Sequence, residues 1–531
     1  MSVPRRPTAA VVGSGVAGLT AAYLLQRAYD VTLFEADDRL GGHAHTHDLA
    51  GPHGRPVAVD SGFIVHNERT YPHLLRLFRE LGVATQPTEM SMSITCEGCG
   101  LEYAGARGIS GLFAQPRRAG HLPYLGLLAQ VKRFHGAARR LLRHADTAPG
   151  HDVDNLTLGT FLAVCGFSDY FVRHFVLPLV SCVWSAGAAV SLEYPAVYLF
   201  RFLANHGMLS VTGSPRWRTV TGGSRTYVER AAKGLSAVQT GIGIRTVTRH
   251  PDGVELIDGD GQPHASDVVV VATHADQALA LLGDPTDAER QVLGAFEYSR
   301  NETVLHTDSS VLPAARRARA SWNYRLAGCT RLDEHVQVSY WMNRLQALDD
   351  PADYLVTLGT GSRIGSAQVL DRMVYEHPVY TPASVAAQRR LPELTTGRTA
   401  FAGAYHGWGF HEDGCASGAR AAAALGVRWW PRRRPCATGR RSRRRRSTTS
   451  RSDTPDPARY AGRSPPARSS GWSTSTTSRP AAWRRAARCR AGCAPRPASR
   501  RPTMSAIRTA QSRRTWSPSP GTAAWTTSRG C

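Results

Sequence analysis

Three glycines carry the first chemical signal in this chain. Gly13-Ser-Gly15-Val16-Ala17-Gly18 follows the apolar run Ala9-Ala-Val-Val12 at once, and Leu19, Ala22, Tyr23 and Leu25 then recur near helical spacing. A second apolar run, Val31-Thr-Leu-Phe34, ends in Glu35. The order is strand, tight turn, helix, strand, acid. In such a unit Gly13 permits the turn, Gly15 lets the backbone approach a pyrophosphate, and Gly18 lets the helix pack on the strand. The helix N-terminus at Val16 and Ala17 faces the phosphates. Glu35 lies 17 residues after Gly18, at the strand tip beside Ala36, where it can accept ribose hydroxyls. The spacing predicts a dinucleotide site.

The glycines do not choose between nicotinamide and flavin dinucleotides. Glu35-Ala36-Asp-Asp-Arg39-Leu-Gly41-Gly42-His43 resembles the E-x-x-x-R-x-G-G-R segment of flavin-containing amine oxidoreductases and the related phytoene desaturases. The resemblance implies FAD, with Arg39 and the Gly41-Gly42 backbone at its phosphates and ribityl chain; His43 stands where the family has an arginine. Asp60-Ser-Gly62-Phe63 is similar to the family's D-x-G turn beneath the isoalloxazine. Ile244-Arg-Thr-Val247 resembles the strand whose valine backbone meets the adenine. Phe401-Ala-Gly403 and Glu412-Asp413-Gly414-Cys-Ala-Ser417-Gly418 resemble the closing FAD motif, in which a helix N-terminus points at the flavin pyrimidine. Such a terminus stabilises negative charge on the reduced ring. The stretches from Asp60 to Pro72 and from Tyr405 to His411 also resemble a bacterial branch of predicted NAD/FAD-binding oxidoreductases. Its members are often encoded beside enzymes resembling cyclopropane-fatty-acid synthases, which implies a lipid substrate.

These motifs need a parallel α/β sheet to hold them. The resemblance implies a Rossmann-like, glutathione-reductase-like FAD-binding domain from residues 1–90, 216–290 and 395–427. An α+β substrate domain from 91–215 and 291–394 is interleaved with it. Residues 115–210 read as helical and carry many aromatic residues, from Phe161 to Phe202. These suit either an apolar substrate tunnel or the core of a helical cap. The runs 336–341 and 354–358 are expected strands of the substrate sheet. Residues 117–143 mix arginines with Leu, Tyr and Phe, as a solvated helix or a helix touching anionic lipid would.

Flavin enzymes of the resembled family take hydride from substrate carbon at N5, and amine oxidases among them often keep a lysine near that atom. This chain has two lysines, Lys132 and Lys233, neither in the region 301–308 where that residue would fall. Desaturation or dehydrogenation of a carbon chain fits better than oxidation of an amine; isomerase or mutase chemistry is the alternative. His406 and His411, which flank the closing motif, are the candidate proton carriers, and Trp408 a candidate flavin wall. No hydrolase motif is present. Cys96 and Cys99 form a C-x-x-C with no second pair at matching spacing, so no metal is expected.

The net charge of +24 suggests nucleic acid, but its distribution argues otherwise. Residues 431–531 hold 25 arginines and two acids, which leaves 40 basic and 39 acidic residues in 1–430. The segment lacks Leu, Val, Phe, Glu and Lys, so it cannot build a core and reads as a disordered tail from residue 428 on. Residues 472–480, back-translated into GC-rich codons, give an ordinary protein sequence in another frame, which points to a frameshifted tail. No specific nucleic-acid partner is expected. Arg5-Arg6 runs directly into the first strand, so no discarded leader is expected. The absence of a long apolar run and of a disulfide framework points to the cytoplasm, with contact at the inner membrane face as an option.

Overall fold

The structure is a computed structural model and describes residues 5–51, 54–148, 150–210, 213–330, 336–359 and 363–429. The arginine-rich tail lies outside the described residues. The chain stays packed slightly further than the sequence suggests. The Trp429 indole N–H donates to Glu80 at 2.8 Å, and Arg76 lies over its ring.

The valine-rich runs form a parallel sheet. Its order is Ala237–Gln239, Asp30–Phe34, Thr8–Val12, Val268–Val271 and Thr399–Phe401, each parallel to its neighbour. Ranked by position in the chain, that order is third, second, first, fourth, fifth, the doubly wound arrangement that opens a crevice at the carboxyl ends of its strands. Alternation along Thr8–Val12 serves both faces. Ala9 and Val11 pack against the helix Val16–Leu25, while Ala10 and Val12 pack against Val254, Leu256 and Leu282 on the other side. Such two-sided burial explains why the strands read as continuous apolar runs.

The helix His411–Ala424 returns to lie against Val16–Leu25, and small residues set how close it comes. A Cβ at Gly418 would stand 2.1 Å from the Ala17 carbonyl oxygen, and one at Gly414 would stand 2.6 Å from a Val16 methyl.

A second, seven-stranded sheet draws on the strands Met92–Cys96 and Leu101–Ala104 and on five strands between Glu297 and Val379. Val338–Trp341 and Leu355–Leu358 pair at its middle, where strands were expected. The helical layer beside it runs from Leu122–Thr147 to Ala196–Asn205. Its aromatic residues are mostly core. Phe134 sits among Phe161, Phe167, Phe171 and Phe200 at ring separations of 5.5 to 6.4 Å. Helix Leu122–Thr147 turns Tyr124, Leu127, Phe134 and Leu141 inward and leaves Lys132, Arg140 and Arg143 exposed. Among the described residues no helix is long and apolar enough to cross a membrane.

The helix seam gives a direct test of the packing. Gly418→Ala should destabilise the folded protein by at least ~2 kcal/mol, because backbone cannot yield as a side chain can. Arg420→Ala, on the exposed side of the same helix, should melt within a degree or two of wild type in a thermal scan.

Candidate flavin site

The three fingerprint glycines turn out to do different things. Gly13 takes φ +96°, and a Cβ there would lie 2.9 Å from the Ala272 carbonyl oxygen. A Cβ at Gly18 would lie 1.9 Å from the Gly13 carbonyl oxygen. Both are therefore demanded by the fold. Gly15 has an ordinary φ of −58°, and a Cβ there would meet no atom of the chain within 4 Å. Nothing among the described residues requires glycine at 15, and its bare Cα leaves the space before the helix N-terminus open to a ligand. No side chain caps that helix, so its first-turn amides face the same space.

Glu35 anchors the turn from the next strand. The Ser14 amide donates to it at 2.8 Å, as does the Ser14 hydroxyl, and the Asp37 amide donates to its other oxygen at 3.1 Å. Two ionised oxygens carry about four acceptor sites, so capacity remains for ribose hydroxyls. Ser14 Oγ also accepts from the Gly41 amide, which ties the two glycine segments together. A Cβ at Gly42 would come within 3.3 Å of Gly15 Cα. The Arg39 guanidinium donates to the Gly42 carbonyl at 2.9 Å. Gly62 passes so close to His43 that a Cβ would lie 2.1 Å from its carbonyl oxygen.

These residues line one cleft of about 890 Å³, within the usual range for cofactor and ligand sites. It includes Gly13, Gly15, Val16, Ala17, Glu35, Ala36, Arg39, Gly42, His43, Gly62, Gly403 and His411 from the sequence-based set. Gly18 and Gly41 shape the backbone from behind, and five expected residues need correcting. Val247 does not line the cleft: its side chain is buried and its carbonyl accepts from the Gly283 amide, while Ile242, Gly243 and Ile244 supply the wall. Asp413 accepts from the Phe410 amide and Ser417 bonds the Gly403 amide and the Gly414 carbonyl, so both hold the turn and touch no ligand space. His406 lies near Arg420, away from the cleft, and burial pushes it down to about 3. Trp408 packs in the helical layer, and its carbonyl accepts from the Trp184 indole.

His411 is the one candidate proton carrier that reaches the cleft. It opens the final helix, stacks on Phe63 at 3.7 Å, and meets the Tyr227 hydroxyl through Nε2 at 3.2 Å. Burial pushes it down to about 3, so the ring is neutral at neutral pH.

The residues that sequence reasoning missed sit on the antiparallel pair Glu297–His306 and Val369–Val379. Tyr375, Glu376 and His377 reach the cleft from it. The Tyr375 hydroxyl lies 2.7 Å from Ser61 Oγ, and its ring 5.0 Å from that of His43. His377 lies 5.3 Å from His43, and desolvation holds it at about 4. His274 stacks on Tyr298 at 4.3 Å and pairs with Glu376 at 3.3 Å. No motif in the sequence marks Tyr375, Glu376 or His377, whereas His274 stands two residues after the apolar run that ends at Ala272. The lining also includes the apolar Met90, Val183, Trp184, Phe202, Trp322 and Leu358, with Ser185, His206 and Tyr340 among them. Lys132 and Lys233 do not line it.

A sequence model of the flavin containing amine oxidoreductase family matches residues 16–305, more than half of the chain. The chain belongs to that family. A Mycobacterium tuberculosis protein named as a flavin-containing monoamine oxidase, AofH, is 27% identical over 296 residues, or 53% of this chain and 60% of that protein. The chain thus spans about 60% of the length of the curated relatives it matches. Two solved structures share the fold at TM-score 0.57 and 18% identity. A CLA-producing fatty acid isomerase from P. acnes covers 80% of this chain and 100% of its own. The cyclohexylamine oxidase of Brevibacterium oxydans covers 79% and 98%. FAD is the family's cofactor, and the residues fit it: a glycine kept clear at 15, uncapped amides, a carboxylate with spare acceptors at 35, and a second helix N-terminus at 411.

The buried groups set the pH response of the fold. Desolvation holds His66, His206 and His306 at about 4. Their folded values lie below the unfolded one, so their contribution is complete above pH 6.5 and is lost as pH falls toward 4. Each therefore contributes about 2 kcal/mol at pH 7 that is absent at pH 5, so the melting temperature of His306→Gln minus that of wild type should rise as pH falls from 7 to 5. Asp413 has the opposite sign. Burial pushes it up to about 7, so its contribution is complete below about pH 4 and lost as pH rises through 7. The melting temperature of Asp413→Asn minus that of wild type should therefore rise between pH 5 and pH 8. A difference that stays flat contradicts the burial of that carboxyl.

Proposed function

We propose that the protein is an FAD-dependent oxidoreductase that removes hydride from a carbon of an apolar, fatty-acyl-like substrate. The observation that carries this reading is a cleft lining rich in Met, Val, Leu, Phe and Trp side chains, with no lysine among them. FAD, when bound, supplies the two-electron acceptor that no side chain can provide.

The chain's own part is to bind, orient and keep water out. Trp184, Phe202 and Trp322 give a long substrate rigid apolar contact at small entropic cost. His411, His43 and His377 are neutral around the other end. A neutral imidazole can take a proton in passing but offers no fixed charge to an ammonium group, and the carboxylates of the lining are already engaged, Glu376 by His274 and Arg300 and Glu35 by Ser14. This favours a substrate carbon chain over an amine. The P. acnes fatty acid isomerase, which shares the fold, supports the compatibility of this architecture with fatty acids. The second reading is an isomerase of the same substrate class, in which no net electrons leave the substrate.

Anaerobic mixing of the yellow holoprotein with long-chain fatty acids separates the possibilities. Lasting loss of the oxidised flavin absorbance is expected with an acyl substrate. Product formed without lasting bleaching selects the isomerase. Bleaching by a small polar amine and by no lipid shows that the proposal is wrong.

A further inference from the structure

The Cys96/Cys99 pair lacks a partner in the sequence, yet the fold supplies one from two distant places. Cys96 ends the strand Met92–Cys96, and Cys99 stands in the turn 97–100 before Leu101–Ala104. The turn orients both sulfurs: the Cys99 amide donates to the Cys96 sulfur and the Leu101 amide to the Cys99 sulfur. Gly98 admits a second loop, since a Cβ there would lie 3.0 Å from the Cys329 nitrogen and 3.1 Å from Gly328 Cα. That loop follows the strand Trp322–Leu326 and brings Cys329 Sγ to 3.6 Å from Cys96 Sγ. His174, fully buried in the π-helical turn Val172–Val176, places Nε2 3.8 Å from Cys99 Sγ. The four ligand atoms lie within 4.8 Å of one another.

We propose that Cys96, Cys99, His174 and Cys329 bind a structural zinc ion. A tetrahedron with Zn–S bonds near 2.3 Å and a Zn–N bond near 2.0 Å has S···S edges of about 3.8 Å and S···N edges of about 3.6 Å. The two separations above, 3.6 and 3.8 Å, are within a few tenths of those edges. His174 also has the outer contact that zinc-binding imidazoles use. Its Nδ1 lies 3.0 Å from the Tyr170 carbonyl, so Nδ1 carries the hydrogen and the Nε2 lone pair faces the sulfurs. On binding, each cysteine releases its thiol proton to solvent, and three thiolates with a neutral imidazole leave a net charge of −1 on the centre. The two amide donors offset that charge, as does the Arg118 guanidinium on the Cys99 carbonyl. Four protein ligands fill the coordination sphere, so the site is structural and not catalytic.

None of the four residues lines the flavin cleft. The effect on it is indirect. His174 leads into the helix Leu177–Trp184, whose last residues Cys182, Val183 and Trp184 form part of the apolar wall. Zinc would pin that helix to the edge of the seven-stranded sheet.

The test is metal analysis of the full-length holoprotein, purified under reducing conditions without chelators. About one zinc per chain is expected, falling at least ~10-fold in Cys329→Ser and in His174→Ala after dialysis against a competing chelator. If those variants do not fold, wild type still decides the matter. Cobalt(II) in place of zinc should give the ligand-field bands of a tetrahedral thiolate site, to the red of the flavin absorbance. A protein that holds no zinc even after zinc chloride is added overturns the proposal. So does a disulfide among these three cysteines, iron in place of zinc, or zinc that survives replacement of all three by serine.

Discussion

Two stretches of backbone about 400 residues apart touch where no side chain could fit, and the architecture rests on that contact. Gly418 faces the Ala17 carbonyl, and Gly414 faces Val16. The first helix of the fold and the last thereby share one seam. The strand Thr399–Phe401 joins the parallel sheet beside Val268–Val271, and Ser417 ties the Gly403 amide to the returning helix. Only then does the cleft have both its walls, one from the glycine turn and one from the helix that opens at His411. The long excursion between them can be elaborate because its ends are fixed.

A second constraint couples the cleft floor to the substrate sheet. Asp60 is almost wholly buried and accepts from the Thr46 hydroxyl at 2.6 Å, from the Ser224 amide at 2.9 Å and from Gln346 Nε2 at 3.1 Å. Burial raises its carboxyl to about 6 in spite of those donors. A buried carboxyl with donors from three segments has one geometry open to it, so the turn Ser61-Gly62 is fixed with it. Ser61 then fixes Tyr375 on the strand Val369–Val379, from which it reaches the cleft. Asp60, Thr46, Ser224, Gln346, Ser61 and Tyr375 thus form one connected network at the cleft floor.

What was legible in the sequence follows from how local each signal is. The unit from Thr8 to Glu35 is contiguous, so periodicity, turn glycines and the acid could all be read together. The apolar runs 9–12 and 31–34 stood out because burial on both faces leaves an apolar composition throughout. Errors arose where a short motif had to be placed by register. Val247 and Ile244 lie on one strand, three residues apart, and only the course of the chain before Ile244 decides which end meets the cleft. His406 and His411 are five residues apart, but one precedes and the other begins the final helix. Asp413 read as a ligand-facing acid and is a local cap. The aromatic run 161–202 read as tunnel or core; packing around Phe134 made most of it core and left Trp184 and Phe202 for the cleft. Cys329 and His174 were beyond reach, because single residues on distant loops leave no spacing to recognise.

The account stands on the claim that the cleft around Gly15 is built for FAD. Gly15→Val tests it most directly, since a Cβ there meets no protein atom within 4 Å and the backbone angle suits any residue. FAD bound per chain should be measured for both proteins after desalting, alongside their thermal melting without cofactor. The account predicts about one FAD per wild-type chain, and a variant that melts like wild-type apoprotein but retains almost none. A wild-type protein that takes up no FAD, or a valine variant that holds it as firmly as wild type, would contradict it.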